Sequence, residues 1–348
     1  MPVVSHAALG AYPVTLVTLR SDSCTALLTD LGARLLEFHV PDREGNRADV
    51  VLSRATMEEV FSDRNYMGST AGRYAGRIRS GQFSLDGEQY QLARNEGMNH
   101  LHGGDRGFDQ YSWSTSVDPG REAVTFTRVS PHGEEGFPGE LTARVTYRLE
   151  GNSLYIEMSA TTDRPTIVRL VNHAYWNLAG HDSGTVLDQV LQLNAAHYIP
   201  LDDELLPTGE VLSVRGTPFD FTFGRPIGEE NSKVPNNGAG RVEGESAGYD
   251  HIWVLDGAGD RVVGSITDPA SGRRLELATN QRGLCLYVGG YMAGVSAKGA
   301  SESYCAFAGL TLETTGFPDD VNQPYFPSPI LRPGQTYLNS VRLTFSTV

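Results

Sequence analysis

The sequence predicts an all-β protein built as a large antiparallel β-sandwich, and three observations support this fold class. Polar and apolar residues alternate over long stretches, short turn sequences join these stretches, and helical spacing is almost absent. Repeated hairpins favour antiparallel packed sheets over alternating strand and helix units. We expect a single domain over residues 1–348, because large sandwiches extend beyond about 200 residues around one core.

Three hairpins are predicted in chain order. The first spans residues 83–92 and turns at Asp86-Gly87, and the second spans residues 142–160 and turns at Glu150-Gly151-Asn152. The third spans residues 262–279 and turns at a Pro- and Gly-containing segment. In the second hairpin, the residues expected on one face are Ala143, Val145, Tyr147, Leu149, Leu154, Ile156, Met158 and Ala160.

Two segments depart from the strand pattern. Residues 55–63 show apolar spacing at helical intervals, which predicts a helix of two turns at most. The segment from Asn231 to Ser246 is rich in Gly, Asn and Glu, and it is predicted to be a long surface loop. No long linker, heptad run or internal repeat divides the sequence.

Composition restricts the class of partner. The formal charge of −14 argues against nucleic acid and against an anionic membrane surface. One or two arginines suffice to hold a phosphate, although a neutral substrate is the simpler interpretation. No stretch is long and apolar enough to cross a bilayer, and no leader pattern opens the sequence. We therefore expect a cytoplasmic protein, and exposed sheet edges are compatible with a monomer or a homodimer.

The three cysteines, Cys24, Cys285 and Cys305, cannot all pair within one chain. They show neither Cys-x-x-Cys spacing nor a Cys/His metal pattern. We interpret them as buried thiols in a reducing compartment.

Four polar regions punctuated by Gly or Pro are candidates for a site. In the first region, residues 72–78 with 99–104, His100 and His102 would share one face of a strand. This makes a metal pair conceivable, although no third ligand is near in sequence. The alternative is one imidazole bonded to a backbone carbonyl and one exposed. His102 precedes a Gly-Gly turn, which favours a functional role for it. The regions are residues 72–78 with 99–104, 172–178, 248–253 and 310–320.

The second region suits a sugar or a core patch with capped polar tips, the third has the same composition with a carboxylate added, and the fourth carries carboxylates near a turn. His173 and Asp250 lie among aromatic and amide groups, which can stack on sugar rings and bond hydroxyls, but each has an ordinary structural alternative. Glu313 ends a strand pattern before a Gly and Pro turn, and its alternative is an exposed strand-end carboxylate. Asp319 and Asp320 suggest a pair for glycoside cleavage, but a solvated turn is the favoured interpretation.

Taken together and in this order, the four regions resemble the aldose 1-epimerase (galactose mutarotase) family. Short matches near both ends extend the resemblance over nearly the whole chain, at residues 30–33, 41–45 and 331–334. The resemblance implies a large antiparallel β-supersandwich, a free monosaccharide as substrate, and neither cofactor nor metal. The residues implied are Glu313 as base, His173 as acid, and Arg77, His102, Asp250 and Gln281 as sugar-binding groups.

The resemblance also implies a mechanism. Opening a pyranose removes a proton from the C1 hydroxyl and delivers one to the ring oxygen, and a carboxylate and an imidazolium on opposite sides of the bond supply both transfers. Two positions depart from the common pattern, since Gly76 replaces a frequent Asn and Arg282 replaces a frequent Pro. These departures leave substrate preference open. The alternatives are a non-catalytic sugar-binding protein, a sugar-phosphate epimerase marked by extra arginines, and a polysaccharide-acting enzyme marked by an elongated groove.

Overall fold

The computed structural model describes residues 1–9, 12–234, 248–299 and 302–348. Strands dominate the described residues and neighbouring strands pair antiparallel, which confirms the all-β sandwich prediction. In chain order the first strands are β1 Val3–Leu9, β2 Tyr12–Arg20, β3 Thr25–Thr29, β4 Arg34–Pro41, β5 Arg47–Asp49, β6 Thr70–Ala71, β7 Arg77–Ile78, β8 Gln82–Leu85, β9 Glu88–Gln91, β10 His100–Leu101, β11 Ser114–Asp118, β12 Ala123–Ser130, β13 Leu141–Glu150 and β14 Ser153–Thr162.

The second half continues in the same manner. Its strands are β15 Thr166–Ile167, β16 Val171–Asn172, β17 Tyr175–Trp176, β18 Val190–Leu193, β19 His197–Ile199, β20 Leu212–Ser213, β21 Arg225–Pro226, β22 Asp250–Val254, β23 Arg261–Thr267, β24 Arg273–Thr279, β25 Gly283–Tyr287, β26 Leu310–Thr315, β27 Ile330–Leu331 and β28 Tyr337–Thr347. The helices are α1 Met57–Phe61 and α2 Gly228–Asn231, with 3₁₀ turns at Arg79–Gly81, Phe108–Gln110 and Glu134–Gly136. No helix in the described ranges is long and apolar enough to span a membrane.

Three sheets form the frame of the molecule. The first has five strands in the order β1-β2-β3-β4-β5, and the second has nine in the order β11-β12-β13-β14-β28-β24-β23-β18-β21. The third has six strands in the order β17-β26-β25-β22-β19-β20. The three predicted hairpins are confirmed as β8–β9, β13–β14 and β23–β24.

Alternation along the strands separates core from surface as predicted. All eight apolar residues predicted for one face of the second hairpin are buried, whereas Arg144 is exposed and the intervening Thr142 and Thr146 are only partly buried. Successive strand residues point to opposite sides of a sheet, so this pattern fixes which face packs inward.

The three sheets meet in one apolar core. Phe38 of β4, Trp176 of β17 and Phe345 of β28 come from different sheets, and their ring centroids lie 4.7 to 6.0 Å apart. The largest cluster of buried side chains draws on residues from Val17 to Phe345. The N-terminal and C-terminal parts of the chain therefore share a core, which holds the six-stranded sheet in place.

The two segments outside the strand pattern have different outcomes. Helix α1 confirms the short helix predicted within residues 55–63, and Thr56 and Glu59 form a capping box at its N-terminus. The predicted loop from Asn231 to Ser246 lies outside the described residues from 235 onward. At its start the prediction is wrong, because Asn231 is the buried last residue of α2.

The thiol prediction is only partly correct. All three cysteines are free, but only Cys24 is buried, whereas Cys285 is partly buried and Cys305 is exposed.

Candidate active site

One face of the six-stranded sheet carries a row of polar side chains into a cavity. Cys285 of β25 lies opposite both Ile252 of β22 and Glu313 of β26, and Tyr287 lies opposite Asp250. Directly opposed residues share a face, so these side chains point to the same side of the sheet. Residues of the other parity, such as Trp253, Leu284 and Leu312, belong to the main core.

The cavity above this face has a volume of about 230 Å³. This volume lies below the range of about 300 to 1,000 Å³ that is common for ligand sites, and it suits a single small ring. Five of the six predicted site residues line it, namely Arg77, His102, His173, Asp250 and Glu313. They come from separate parts of the chain that the fold brings together.

Glu313 is buried at the centre of the polar face. The Thr311 hydroxyl donates a hydrogen bond of 2.9 Å to Glu313 Oε1, from two residues earlier on the same strand. Burial raises the pKa of the Glu313 carboxyl above its usual 4.5, although His173 and the Thr311 hydrogen bond oppose the shift. A raised pKa makes this carboxylate a stronger proton acceptor than an exposed Glu.

His173 lies beside this carboxylate. Its Nε2 is 3.5 Å from Glu313 Oε1, and both side chains are less than a tenth exposed. The backbone of His173 is fixed by hydrogen bonds with Gly68 and Ser69, at 2.9 and 2.8 Å. The ring centroid of Tyr175 lies 5.2 Å from that of His173. The imidazole is thereby held in one place next to its partner.

His102 faces the same space with a defined tautomer. The backbone N–H of Gly76 donates to His102 Nδ1 at 3.2 Å, so the proton of the neutral ring lies on Nε2. Desolvation, with the nearby charges of His173 and Arg77, holds the pKa of His102 well below 6.5. His102 is therefore a neutral ring whose Nε2–H is available as a hydrogen-bond donor.

Arg77 is oriented by a bidentate ion pair. Its Nε and Nη2 donate to the two carboxylate oxygens of Glu96 at 2.6 and 2.7 Å. Burial is the largest single influence on the pKa of Arg77 and lowers it, but the charges of Asp250 and Glu96 and the hydrogen bonds to Glu96 together outweigh burial, so the pKa is raised. Because Arg77 also lines the cavity with Asp250, it presents a positive charge to an oxygen-rich ligand.

A buried ion pair supports the cavity from behind. Arg169 pairs with Asp320, and the Tyr74 hydroxyl donates to the other Asp320 oxygen at 2.6 Å. Asp319 is also buried, and it accepts hydrogen bonds from the Arg79 backbone and the Asn322 side chain. The interpretation of these two aspartates as a solvated turn is wrong, because both carboxylates hold the loop after β26 against the domain.

A metal would find poor ligands at this point. Ligand atoms of His102, His173 and Glu313 lie within 4.8 Å of one another. In His102, however, Nδ1 already accepts a backbone hydrogen bond and Nε2 carries the proton, so neither nitrogen offers a free lone pair. A His100 and His102 metal pair also fails, because His102 has no free lone pair and His100 belongs to no group of potential metal ligands among the described residues.

The structure separates Gln281 from the other predicted residues. Gln281 lies in the turn between β24 and β25, and its Nε2 donates to Asn280 Oδ1 and to the Leu338 carbonyl at 2.8 and 2.9 Å. It lines a different groove, together with the exposed Arg282. Since its amide is engaged at the end of the sheet, we leave Gln281 out of the proposed site.

Several cavity residues escaped the sequence reasoning, among them Cys285, Glu96 and Tyr66. Cys285 was interpreted as a buried thiol, yet its Sγ lies 3.9 Å from Asp250 Oδ1 on the polar face. The alternation of Leu284, Cys285 and Leu286 could have predicted this position, because the two leucines face the core and the residue between them must point to the opposite face of the sheet. Glu96 and Tyr66 gave no such signal, because they enter the cavity from irregular segments.

Comparison with known proteins agrees with this geometry. The family model described as aldose 1-epimerase matches residues 15–344. Galactose mutarotase from Homo sapiens is 38% identical over an alignment 352 residues long, and the alignment covers 99% of each chain. Aldose 1-epimerase from Escherichia coli (strain K12) is 34% identical, over 96% of this chain and 95% of that protein.

Solved structures give the same result. The crystal structure of an aldose epimerase homologue from C. elegans superposes with a TM-score of 0.88 at 30% identity, and covers 96% of this chain and 99% of the other. Galactose 1-epimerase from Lactobacillus acidophilus gives a TM-score of 0.84 at 29% identity, over 100% and 99%. Fold, cavity and sequence together show that this chain belongs to the aldose 1-epimerase family.

Proposed function

We propose that this protein interconverts the α and β anomers of free aldoses such as galactose or glucose, with Glu313 as the base and His173 as the acid. The observation that carries the proposal is the buried pair itself, with Glu313 Oε1 and His173 Nε2 3.5 Å apart in a cavity sized for one sugar ring. Membership of the aldose 1-epimerase family supports the same reaction.

The spacing of the pair suits the two proton transfers. In a pyranose the C1 hydroxyl and the ring oxygen are bonded to the same carbon, so two groups 3.5 Å apart can reach both oxygens together. Glu313 takes the proton of the C1 hydroxyl, the bond from C1 to the ring oxygen breaks, and His173 protonates that oxygen. The product is the open-chain aldehyde.

Closure uses the same residues in reverse. After rotation about the bond between C1 and C2, the aldehyde presents its other face to the C5 hydroxyl. His173 removes the proton from this hydroxyl as the ring closes, and Glu313 returns a proton to the carbonyl oxygen. No atom is gained or lost, so the cycle needs no cofactor.

The remaining polar groups are proposed to hold the sugar. The His102 Nε2–H and the Arg77 guanidinium are donors, and the Asp250 carboxylate accepts hydrogen bonds from sugar hydroxyls. The aromatic rings of Tyr175 and Tyr287 line the same cavity and offer apolar surface to the ring carbons. This set of donors, acceptors and rings is suited to a neutral polyhydroxylated ligand.

We further propose a monosaccharide as the only required partner and the cytoplasm as the working compartment. Three cysteines without a disulfide favour a reducing environment. The net charge of −14 favours neither nucleic acid nor an anionic lipid surface. Both a monomer and a homodimer are compatible with a cavity lined by one chain.

Polarimetry tests the reaction directly. Freshly dissolved α-galactose or α-glucose should reach anomeric equilibrium much faster with the protein than without it, and the final rotation should be unchanged. Relaxation at the spontaneous rate with galactose, glucose and arabinose alike would contradict the proposed function.

A further inference from the structure

One arginine at the rim of the cavity has no role in the proposed reaction and no carboxylate partner among the described residues. Arg64 lines the cavity with an exposed side chain, and within the described ranges no carboxylate lies at ion-pair distance from it. The two other arginines that line the cavity each have a carboxylate partner, since Arg77 pairs with Glu96 and Arg169 pairs with Asp320. Arg64 therefore offers its positive charge to whatever occupies the cavity mouth.

The carboxylate next to Arg64 in sequence is engaged elsewhere. Buried Asp63 pairs with Arg54 and Arg34, at 2.8 and 3.3 Å, and accepts the Met67 backbone N–H at 2.7 Å. The following residue is also fixed, because Asn65 Oδ1 accepts a hydrogen bond of 3.2 Å from Arg54. The backbone on both sides of Arg64 is thus held, while no residue in the described part of the chain accepts a hydrogen bond from its guanidinium.

The segment that carries Arg64 lies on the side of the cavity where the sugar ring oxygen is expected. Two residues later, the ring of Tyr66 lies 4.7 Å from His102 and 5.7 Å from His173, measured between centroids. Further along the same segment, the backbones of Gly68 and Ser69 hydrogen-bond to the backbone of His173. The segment that carries Arg64 therefore forms the wall of the cavity beside the proposed acid. In a pyranose the ring oxygen that His173 protonates is bonded to C5, and C5 carries C6. The substituent on C6 consequently leaves the ring close to the acid.

On the basis of the proposed function, we propose that Arg64 recognises an anionic group on C6, so that the enzyme also accepts aldoses with a 6-carboxylate or a 6-phosphate. A guanidinium matches both groups, because its parallel N–H donors form two hydrogen bonds to paired oxygens. Arg282, which the sequence suggested for a phosphate, does not line this cavity and lies in a separate groove.

The test compares three substrates by NMR exchange between the anomeric signals, at sugar concentrations that report kcat/KM. These substrates are glucose, glucuronate and glucose 6-phosphate. Arg64→Gln should lower kcat/KM for the charged sugars by about tenfold, which corresponds to one charge-assisted hydrogen-bonded pair, and should leave glucose within about twofold. The matched control, Arg282→Gln, should change none of the three rates.

A response of either charged sugar supports the proposal, and a response of only one identifies the group that is recognised. Equal loss for glucose and the charged sugars in Arg64→Gln would overturn it. So would a wild-type enzyme that exchanges glucose but neither charged sugar. If the wild-type protein failed on glucose as well, the proposed function itself would be contradicted.

Discussion

At the scale of single residues, the proposed role of Glu313 as the base predicts that its protonation limits the reaction at low pH. The base must be ionised to accept the C1 proton, and burial raises its pKa above 4.5, so activity should be lost on the acid side at a higher pH than an ordinary Glu would give. Asp250 contributes to this rise through its negative charge.

Asp250→Asn should therefore move the acid limb of the kcat/KM profile for galactose to lower pH. Removing a nearby negative charge stabilises the ionised form of Glu313, which is a separate effect from any increase in KM caused by the lost sugar contact. The measurement is the pH dependence of mutarotation in wild type and variant. A limb that stays in place or moves to higher pH would show that Glu313 does not control it.

At the scale of elements, the hairpins and the short helix were predictable, whereas the burial of side chains in the longer connections was not. The hairpin β13–β14 follows from alternation and from the turn at Glu150-Gly151-Asn152, both of which are local signals. The burial of Asp320 depends on Arg169, which is 151 residues away in sequence. No local pattern carries that information, so a carboxylate in a turn was expected to be solvated.

The same distinction applies to the candidate site. Family resemblance led to Glu313, His173, His102, Arg77 and Asp250, and the fold gathers these five around one cavity. Gln281 lies only two residues before β25, but the chain turns there, and its amide bonds to the backbone of β28 instead. A short sequence motif can place a residue at the end of a strand, but it does not determine whether the side chain points into the cavity or bonds to a neighbouring strand.

At the scale of the whole molecule, one buried carboxyl couples stability to pH. Asp109 is buried, and neither of its carboxylate oxygens has a hydrogen-bond partner within the described residues. Burial raises the pKa of Asp109 from 3.8 to about 6. A folded-state pKa above the unfolded value means that the protonated form favours folding, so this contribution is complete below pH 3.8 and is lost as the pH rises through 6.

Asp109→Asn should be more stable than the wild-type protein at pH 7.5, by about 1 to 2 kcal/mol, because a neutral amide replaces an unpaired buried charge. The advantage should vanish near pH 4, where Asp109 is protonated. Urea unfolding at both pH values measures it, with Asp105→Asn as the matched control for an exposed carboxylate in the same segment. A variant that is less stable at pH 7.5 would show that the Asp109 charge has a stabilising partner.

The arrangement of the whole molecule serves to bring a carboxylate on β26 against an imidazole from the β16–β17 connection. Glu313→Gln tests this directly, because the amide keeps the shape of the side chain but cannot take a proton. Galactose binding measured by calorimetry should stay within a fewfold of wild type, while the mutarotation rate falls by about 10²- to 10⁴-fold. Glu157→Gln, on the exposed side of β14, should affect neither quantity. A Glu313→Gln variant that binds galactose and still equilibrates its anomers at a near-normal rate would contradict the account.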